Sequence, residues 1–440
     1  MARTDRQRQI HDQKRALVDR YIADGLVRET GDDDSNVFYV PNQLVVADRV
    51  AAAVEPHLER YGGRRAWGAV RLSPRGPRED RPSAGAATTQ PPPVYDLDPA
   101  HGVDIVDLAT TLADQHDGGV ALNHLVTGLQ RHLGWPDGDP EPASRRLPTL
   151  PSPAPHDGTG VSVAIVDTGW PSRMPPHLDW FRSGCDHAAA PGEVDAWNRP
   201  VHHVDELDDD RDGYLDVEAD HKLFVAGIIR QIAPSARLVF LKALNSDGVG
   251  TEVGVARAIH WAVARDVDVI NLSLGFYTLR DGTPAGVAAA VAAARKQGIA
   301  VVAAAGNDAV DDRTYPAALP DVVGVGALDR DHAGRADFSN HGSWIDVYAP
   351  GQEVQSTFVR GREDPALTRD HDSDEFTGNT AVWSGTSFAC AQVTGHLAAA
   401  LGGVAPSAGP TSTGGRAEAL IDAIAVAGDG TRHLVPAAAF

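Results

Sequence analysis

VSVAIVDTG, residues 161–169, decides how the second part of this chain folds. The run from Val161 to Val166 has no regular polar face, and it ends on an aspartate, a threonine and a glycine. A strand that is apolar on both faces has to be covered on both faces, which predicts a parallel sheet packed between helices. Similar runs recur at RLVFLKAL (237–244), DVDVINLSL (266–274), IAVVAAA (299–305) and VVGVGAL (322–328), with helical patterns at 251–265 and 285–297 between them. The expected fold class is therefore α/β. Ligand sites in open α/β sheets lie at the carboxyl ends of the strands, so residues just after these runs are the ones to read for chemistry.

Four such residues stand out. Asp167 emerges where the first run ends, although an aspartate there also serves as an ordinary turn former. His221 opens the helical pattern HKLFVAGIIRQIAP. Asn307 follows a buried run and a glycine, and an amide donor aimed at a developing oxyanion is worth about 3–4 kcal/mol of barrier. Ser387 sits in WSGTSFACAQVTGHLAAAL (383–401), after Gly385 and Thr386, at the start of an Ala-rich helix. The free N–H groups and partial positive charge of a helix start lie beside such a hydroxyl, which by itself is equally an N-cap.

Taken together, these residues occur in the order Asp, His, Asn, Ser, within VAIVDTG (163–169), HKLFVAGII (221–229), AAAGN (303–307) and SGTSFACAQVTG (384–395). With APSARLVFLKAL (233–244), DGVGT (247–251), VDVINLSLG (267–275) and YPAALPDVVGVGALD (315–329), the sequence over about 159–400 resembles the subtilisin-like serine peptidases. The resemblance implies a triad of Asp167, His221 and Ser387, with Asn307 as oxyanion donor. It also implies that an extended peptide substrate pairs with Gly248, Val249 and Gly250 on one side and Ser273, Leu274 and Gly275 on the other. No cofactor is required for such chemistry.

Several residues depart from the family pattern. Lys222 and Leu223 follow the histidine in place of Gly-Thr, Ala391 replaces a proline, and Phe276 stands where glycine is usual. A cation beside His221 is expected to lower the imidazole pKa and to crowd Asp167. Two readings follow: an active endopeptidase, or a pseudopeptidase that binds extended peptides without cutting them. Asp308, Asp311 and Asp312, just after Asn307, suggest a preference for basic residues.

Upstream the pattern changes. Residues 1–35 carry a mixed-charge helical pattern over 5–28. Residues 36–130 read as β-α-β-β-α-β, with strands at 38–46, 67–73, 94–98 and 120–126 and helices at 48–61 and 104–114, the order of a small ferredoxin-like domain. Residues 131–158 form a proline-rich linker, and 159–440 make up the peptidase-like domain, closed by a helix at 417–427 (AEALIDAIAVA). The family resemblance implies that the N-terminal domain is a propeptide. It would act as an intramolecular inhibitor whose segment VALNHLVTG (120–128) fills the substrate groove, with self-cleavage in 127–150. A permanent accessory domain is the other reading.

Composition narrows the partners. Lys and Arg total 39 against 60 Asp and Glu, a net charge of −21 over 440 residues, which disfavours nucleic acid and anionic membranes. Neither an apolar signal core in the first twenty residues nor a run of ~18 apolar residues is present, so the expected location is cytoplasmic. Two distant cysteines, Cys185 and Cys390, fit a reducing compartment. Between Asp167 and His221 lies VDELDDDRDGYLDVEAD (204–220), with nine acidic residues against one arginine. Its Asp208, Asp210, Asp212 and Asp216, with Gly213 at the turn, have the register of a calcium loop, but Ala219 occupies the position of the bidentate glutamate. A calcium site and a solvated acidic loop are both compatible with that pattern.

Overall fold

The computed structural model describes residues 18–30, 37–66, 93–128, 140–143, 157–171, 185–187, 204–205, 207–208, 212–365, 373–402, 425–427 and 432–434. From Val37 to Thr127 the chain forms β1 (Val37–Val46), α1 (Asp48–Glu59), β2 (Val94–Asp96), α2 (Ile105–Gln115) and β3 (Val120–Thr127). The sheet is antiparallel, with β1 between β2 and β3, the short strand Arg64–Arg65 outside β2, and Arg28–Thr30 on β1. Helix α2 starts where it does because the Asp104 carboxylate accepts from the N–H groups of Val106 and Asp107. It turns Ile105, Ala109 and Leu112 inward, onto Leu44, Val46, Tyr95 and Leu122 of the sheet. The strand expected at 67–73 lies outside the described residues, as does the part of the 5–28 helix before Val18, while 18–23 is helical.

The peptidase-like part contains β4 (Ser162–Asp167), α3 (His221–Ile232), β5 (Arg237–Lys242), β6 (Val249–Thr251), α4 (Glu252–Ala264), β7 (Val269–Leu272), α5 (Ala285–Lys296), β8 (Ala300–Ala304), β9 (Val323–Leu328), β10 (Val347–Pro350) and α6 (Thr386–Gly402). Its main sheet runs Cys185–His187, β5, β4, β7, β8, β9, β10, Arg432–Leu434, all parallel, with Ala425–Ala427 antiparallel at the far edge. This is the α/β architecture that the apolar runs predict, and β4 shows why. Val163 and Ile165 join the core under α3 and α6, whereas Ala164 and Val166 join the opposite core under α4 and α5. Each fully buried Val or Ile contributes about 1.5–3 kcal/mol of transfer free energy, so both faces drive the strand to the centre.

The helix expected at 417–427 is corrected in part. Residues 417–424 lie outside the described residues, but Ala425–Ala427 is a strand folded back on Arg432–Leu434. Small apolar residues satisfy either period, and a hairpin at the sheet edge supplies backbone partners that three helical residues alone would lack.

Candidate active site

Strand β4 delivers Asp167 to its carboxyl end, fully buried. The carboxylate Oδ1 accepts from Thr168 N at 2.7 Å and lies 2.8 Å from His221 Nδ1. A carboxylate only accepts, so Nδ1 carries a proton and Nε2 lies on the opposite side of the ring. His221 is the first residue of α3. Asp220 before it adopts the left-handed conformation (φ 66, ψ 14), which an aspartate tolerates better than most residues and which sets the entry angle of the helix. Lys222 N donates to Thr168 Oγ1 at 3.3 Å, tying the helix start to the strand end.

A second carboxylate lies close to the same nitrogen, with Glu218 Oε2 3.8 Å from His221 Nδ1. Burial pulls the imidazole pKa down, but Asp167 and then Glu218 outweigh it and raise it to about 9. The expectation that Lys222 would lower this pKa is thus overturned, because two buried carboxylates decide the balance.

Ser387 is the second residue of α6 and is buried. Its hydroxyl donates to Ser273 O at 3.3 Å, while the Ser273 hydroxyl donates to Ser387 O at 2.9 Å. The two helix starts meet through an aromatic cage. The His221 ring stands edge-on to Trp383 (centroids 5.5 Å) and 5.6 Å from Phe388, and Phe224 packs 4.5 Å from Phe388. Trp383 and Phe388 flank Ser387 in the chain, so packing alone brings histidine and serine into one neighbourhood.

Asn307 follows β8 after Gly306, whose φ of 104 requires glycine. Its Oδ1 accepts from Thr386 N at 2.9 Å and from Thr386 Oγ1 at 2.8 Å. Those two donors force the amide nitrogen to the other side, 3.4 Å from where a Cβ on Gly385 would sit. The structure thus gathers Asp167, His221, Asn307 and Ser387 at the carboxyl ends of β4 and β8 and the amino ends of α3 and α6.

Strand β3 lies between the two segments expected to hold extended peptide. Thr127 N donates to Gly275 O at 3.2 Å, Gly275 N donates to Thr127 O at 3.1 Å, and Gly128 N donates to Gly248 O at 2.8 Å. Antiparallel to it, Val249 faces Thr127, Gly250 faces Val126 and Thr251 faces Leu125. Leu274 is turned into the core, and Phe276 packs against the His124 ring at 5.9 Å.

The family's sequence profile, described as the subtilase family (peptidase S8), matches residues 158–425. Subtilisin BL of Lederbergia lenta is 35% identical over 213 residues, covering 47% of this chain and 71% of its own. Subtilisin E of Bacillus subtilis (strain 168) is 35% identical over 219 residues, 47% of this chain and 50% of its own. The crystal structure of a cold adapted subtilisin-like serine proteinase aligns with TM-score 0.45 at 25% identity, covering 70% of this chain and 96% of that one. The chain belongs to the subtilase family. It is a serine-type endopeptidase by that membership.

The acidic segment of this subtilase before His221 is tied by its own hydrogen bonds. Asp208 uses Oδ1 and Oδ2 to accept from Asp212 N (3.0 Å) and Gly213 N (3.1 Å), Asp212 accepts from Tyr214 N, and Asp216 accepts from the Ser246 hydroxyl. Asp210 lies outside the described residues. Among the described residues no group of three or more His, Cys, Asp or Glu is arranged to hold a metal. Among the same residues no helix is long and apolar enough to cross a membrane. Asp308 is buried, and its carboxylate accepts from the Tyr277 hydroxyl at 2.6 Å, whereas Asp311 and Asp312 are exposed.

Sequence reading missed the polar joints between the N-terminal domain and the peptidase part. His124 Nδ1 and Glu252 Oε2, both buried, are 2.9 Å apart, and Glu252 Oε1 accepts from Gly286 N at 2.7 Å. The Tyr21 hydroxyl donates to Asp247 Oδ2 at 2.7 Å, and Arg20 forms an ion pair with the same carboxylate. The one available signal was the pair Asn123-His124 inside an otherwise apolar strand.

Proposed function

We propose that this subtilase is made as a self-inhibited precursor in which Asp167, His221, Ser387 and Asn307 carry the chemistry and β3 occupies the substrate groove. The Ser387 hydroxyl attacks the carbonyl of an extended peptide, and His221 Nε2 takes its proton. Asn307 Nδ2 and the Ser387 N–H stabilise the oxyanion, and the imidazolium then protonates the leaving amine to give the acyl-enzyme, which water hydrolyses. Asp167 holds the tautomer that leaves Nε2 basic. The observation that carries this reading is the run of β3 between Gly248–Gly250 and Ser273–Gly275, ending at Gly128 against Glu218, whose Oε2 lies 3.8 Å from His221 Nδ1.

The carboxylates of Asp167 and Glu218 raise the His221 imidazole pKa to about 9, so the histidine gains base strength as pH rises. The segment 248–250 and the segment 273–275 then serve substrate by backbone pairing. Self-cleavage is expected within residues 127–150. The test is a fluorophosphonate probe on wild type and Ser387→Ala. Labelling and shortening of wild type alone support the proposal. A wild type that stays unlabelled after its N-terminal region has been removed leaves only a peptide-binding body.

A further inference from the structure

Resting on the reading of Asn307 as oxyanion donor, we infer that Asn340, remote from the reacting atoms, is the positioning residue that sets where that donor stands. Asn340 is fully buried, and it grips the backbone on both sides of Asn307. Its Nδ2 donates to Ala305 O at 3.0 Å and its own N–H donates to Gly306 O at 2.9 Å. Its Oδ1 accepts from Asp308 N at 2.9 Å and from Val310 N at 3.3 Å. The amide can face only this way, because Ala305 O only accepts and Asp308 N only donates. An aspartate here could not donate, a glutamine would carry its amide one methylene further, and an apolar side chain would offer neither bond. Gly306 records how close the approach is. A Cβ there would lie 2.5 Å from Asn340 Nδ2, so the amide rests against the bare backbone just before Asn307.

Asn307 is thus held from two directions. Its side chain is held from α6 by Thr386, whose hydroxyl also accepts from Gly306 N at 3.0 Å. Its backbone is held by Asn340, which is itself fixed to β9. Ala327 N donates to the Ser339 hydroxyl at 3.0 Å, and that hydroxyl donates to Asn340 O at 3.0 Å. An oxyanion donor acts only where its N–H meets the developing charge, and a shift of about 1 Å caused by a remote change costs on the order of 100-fold in rate. The same amide reaches the edge of the groove. Asn340 Nδ2 also donates to Tyr277 Oη and Thr314 Oγ1, both at 3.1 Å, and the Tyr277 hydroxyl donates to Asp308 Oδ2 at 2.6 Å. Burial, reinforced by Asp308, holds the Tyr277 phenol well above its ordinary pKa, so the hydroxyl keeps the proton it donates. Tyr277 continues the segment that ends in Gly275, and Thr314 precedes Tyr315, which exchanges two backbone bonds of 2.9 Å with Phe276. One buried amide therefore sets the loop that carries the donor in register with the segment that pairs with extended peptide.

The experiment uses the full chain and reads position and rate separately. In the Ser387→Ala background, hydrogen exchange of the Thr386 amide reports on its acceptor, Asn307 Oδ1, without turnover. Asn307→Ala deletes that acceptor and sets the upper limit. Asn340→Ala is expected to accelerate the Thr386 amide by at least about tenfold while the β4 amides keep their wild-type exchange. With Ser387 intact, turnover of a peptide is followed after the chain has shortened itself. Asn340→Ala should lower kcat by about 10–100-fold. The Phe276–Tyr315 bonds keep the groove edge in place, so KM should stay within about threefold. Combined with Asn307→Ala, the same change should cost no more than about threefold beyond Asn307→Ala alone, because the donor it positions is gone. Losses that multiply in the double variant, a raised KM with unchanged kcat, or an unmoved Thr386 amide overturn the assignment. Thr314→Val keeps the side-chain shape, removes one acceptor of Asn340 Nδ2, and should give the same pattern with a kcat loss of about 3–10-fold. It decides the question if Asn340→Ala disturbs β4. A wild type that neither cuts peptide nor takes a fluorophosphonate counts against the proposed catalysis, and the Thr386 amide still decides whether Asn340 positions Asn307.

Discussion

Strands β4 and β3 are both buried along almost their whole length, yet they are buried by different means. Strand β4 is enclosed by two dry cores, and its first side-chain polar contact with a remote element, Ser162 to Asp268, lies at its amino end, far from Asp167. Strand β3 carries Asn123 and His124 in its middle: Asn123 joins Gln43 of its own domain to Val253 N of the peptidase part, and His124 pairs with Glu252 of the peptidase part. A strand whose burial depends on apolar side chains on both faces can position a catalytic carboxylate rigidly. Strand β3 also buries Val120, Leu122, Leu125 and Val126, but its Thr127–Gly128 end is held to Gly275 and Gly248 by backbone bonds that are open to any sequence, so another extended peptide could take that end's place.

The sharpest way to break that contrast is Ser387→Ala. Turnover of peptide should fall by about 10⁴–10⁶-fold while the fold and the β3 pairing persist, checked by kcat/KM and by hydrogen exchange on β3. Asp167→Asn comes next. Loss of the obligate acceptor lets the imidazole adopt the wrong tautomer, for an expected drop of about 10⁴-fold in kcat.

A smaller effect is expected from pH. The imidazole pKa of about 9 exceeds its ordinary 6.5, so in the self-occupied chain about 1% of His221 is neutral at pH 7 and the fraction grows tenfold per unit. Fluorophosphonate labelling of the unprocessed chain should therefore rise roughly 50-fold from pH 7 to 9 and level off about 100-fold above its pH 7 value beyond pH 10. The sign for stability is opposite. The imidazolium pairing stabilises the fold fully below about pH 6.5 and is lost as pH rises through about 9, so Ser387→Ala should melt lower at pH 10 than at pH 6.

The smallest effect tests the other side of the contrast. His124→Ala strips the buried Glu252 of one partner and leaves Gly286 N as the other, which should weaken docking of the N-terminal domain by about 1–3 kcal/mol. Faster exchange of the β3 amides with unchanged exchange in β4 would sharpen the distinction; equal acceleration in both strands would erase it.

Much of the peptidase part was legible because its signals are local. The runs around 161–166, 299–305 and 322–328 are apolar at nearly every position for a reason confined to each strand, and the sequence around Ser387 combines a glycine, a serine and an Ala-rich helix within one turn. Phe276 was legible as a departure, but its packing against His124 was not, because the two rings are separated by more than a hundred residues. Glu218 offered no signal among its acidic neighbours. It became distinct only when Gly128 and His221 were found on either side of it.

By itself, the sequence determined which residues end each buried strand and which start each helix, because hydrophobic periodicity and chain order are properties of short segments. The tertiary structure decided which of those ends face one another. The aromatic cage of Trp383, Phe224 and Phe388 sets His221 beside the start of α6, two carboxylates rather than Lys222 govern the imidazole charge, and β3 lies in the groove. Each of these outcomes depends on distances between residues remote in the chain, and electrostatic and packing energies follow distance in space, not separation in sequence.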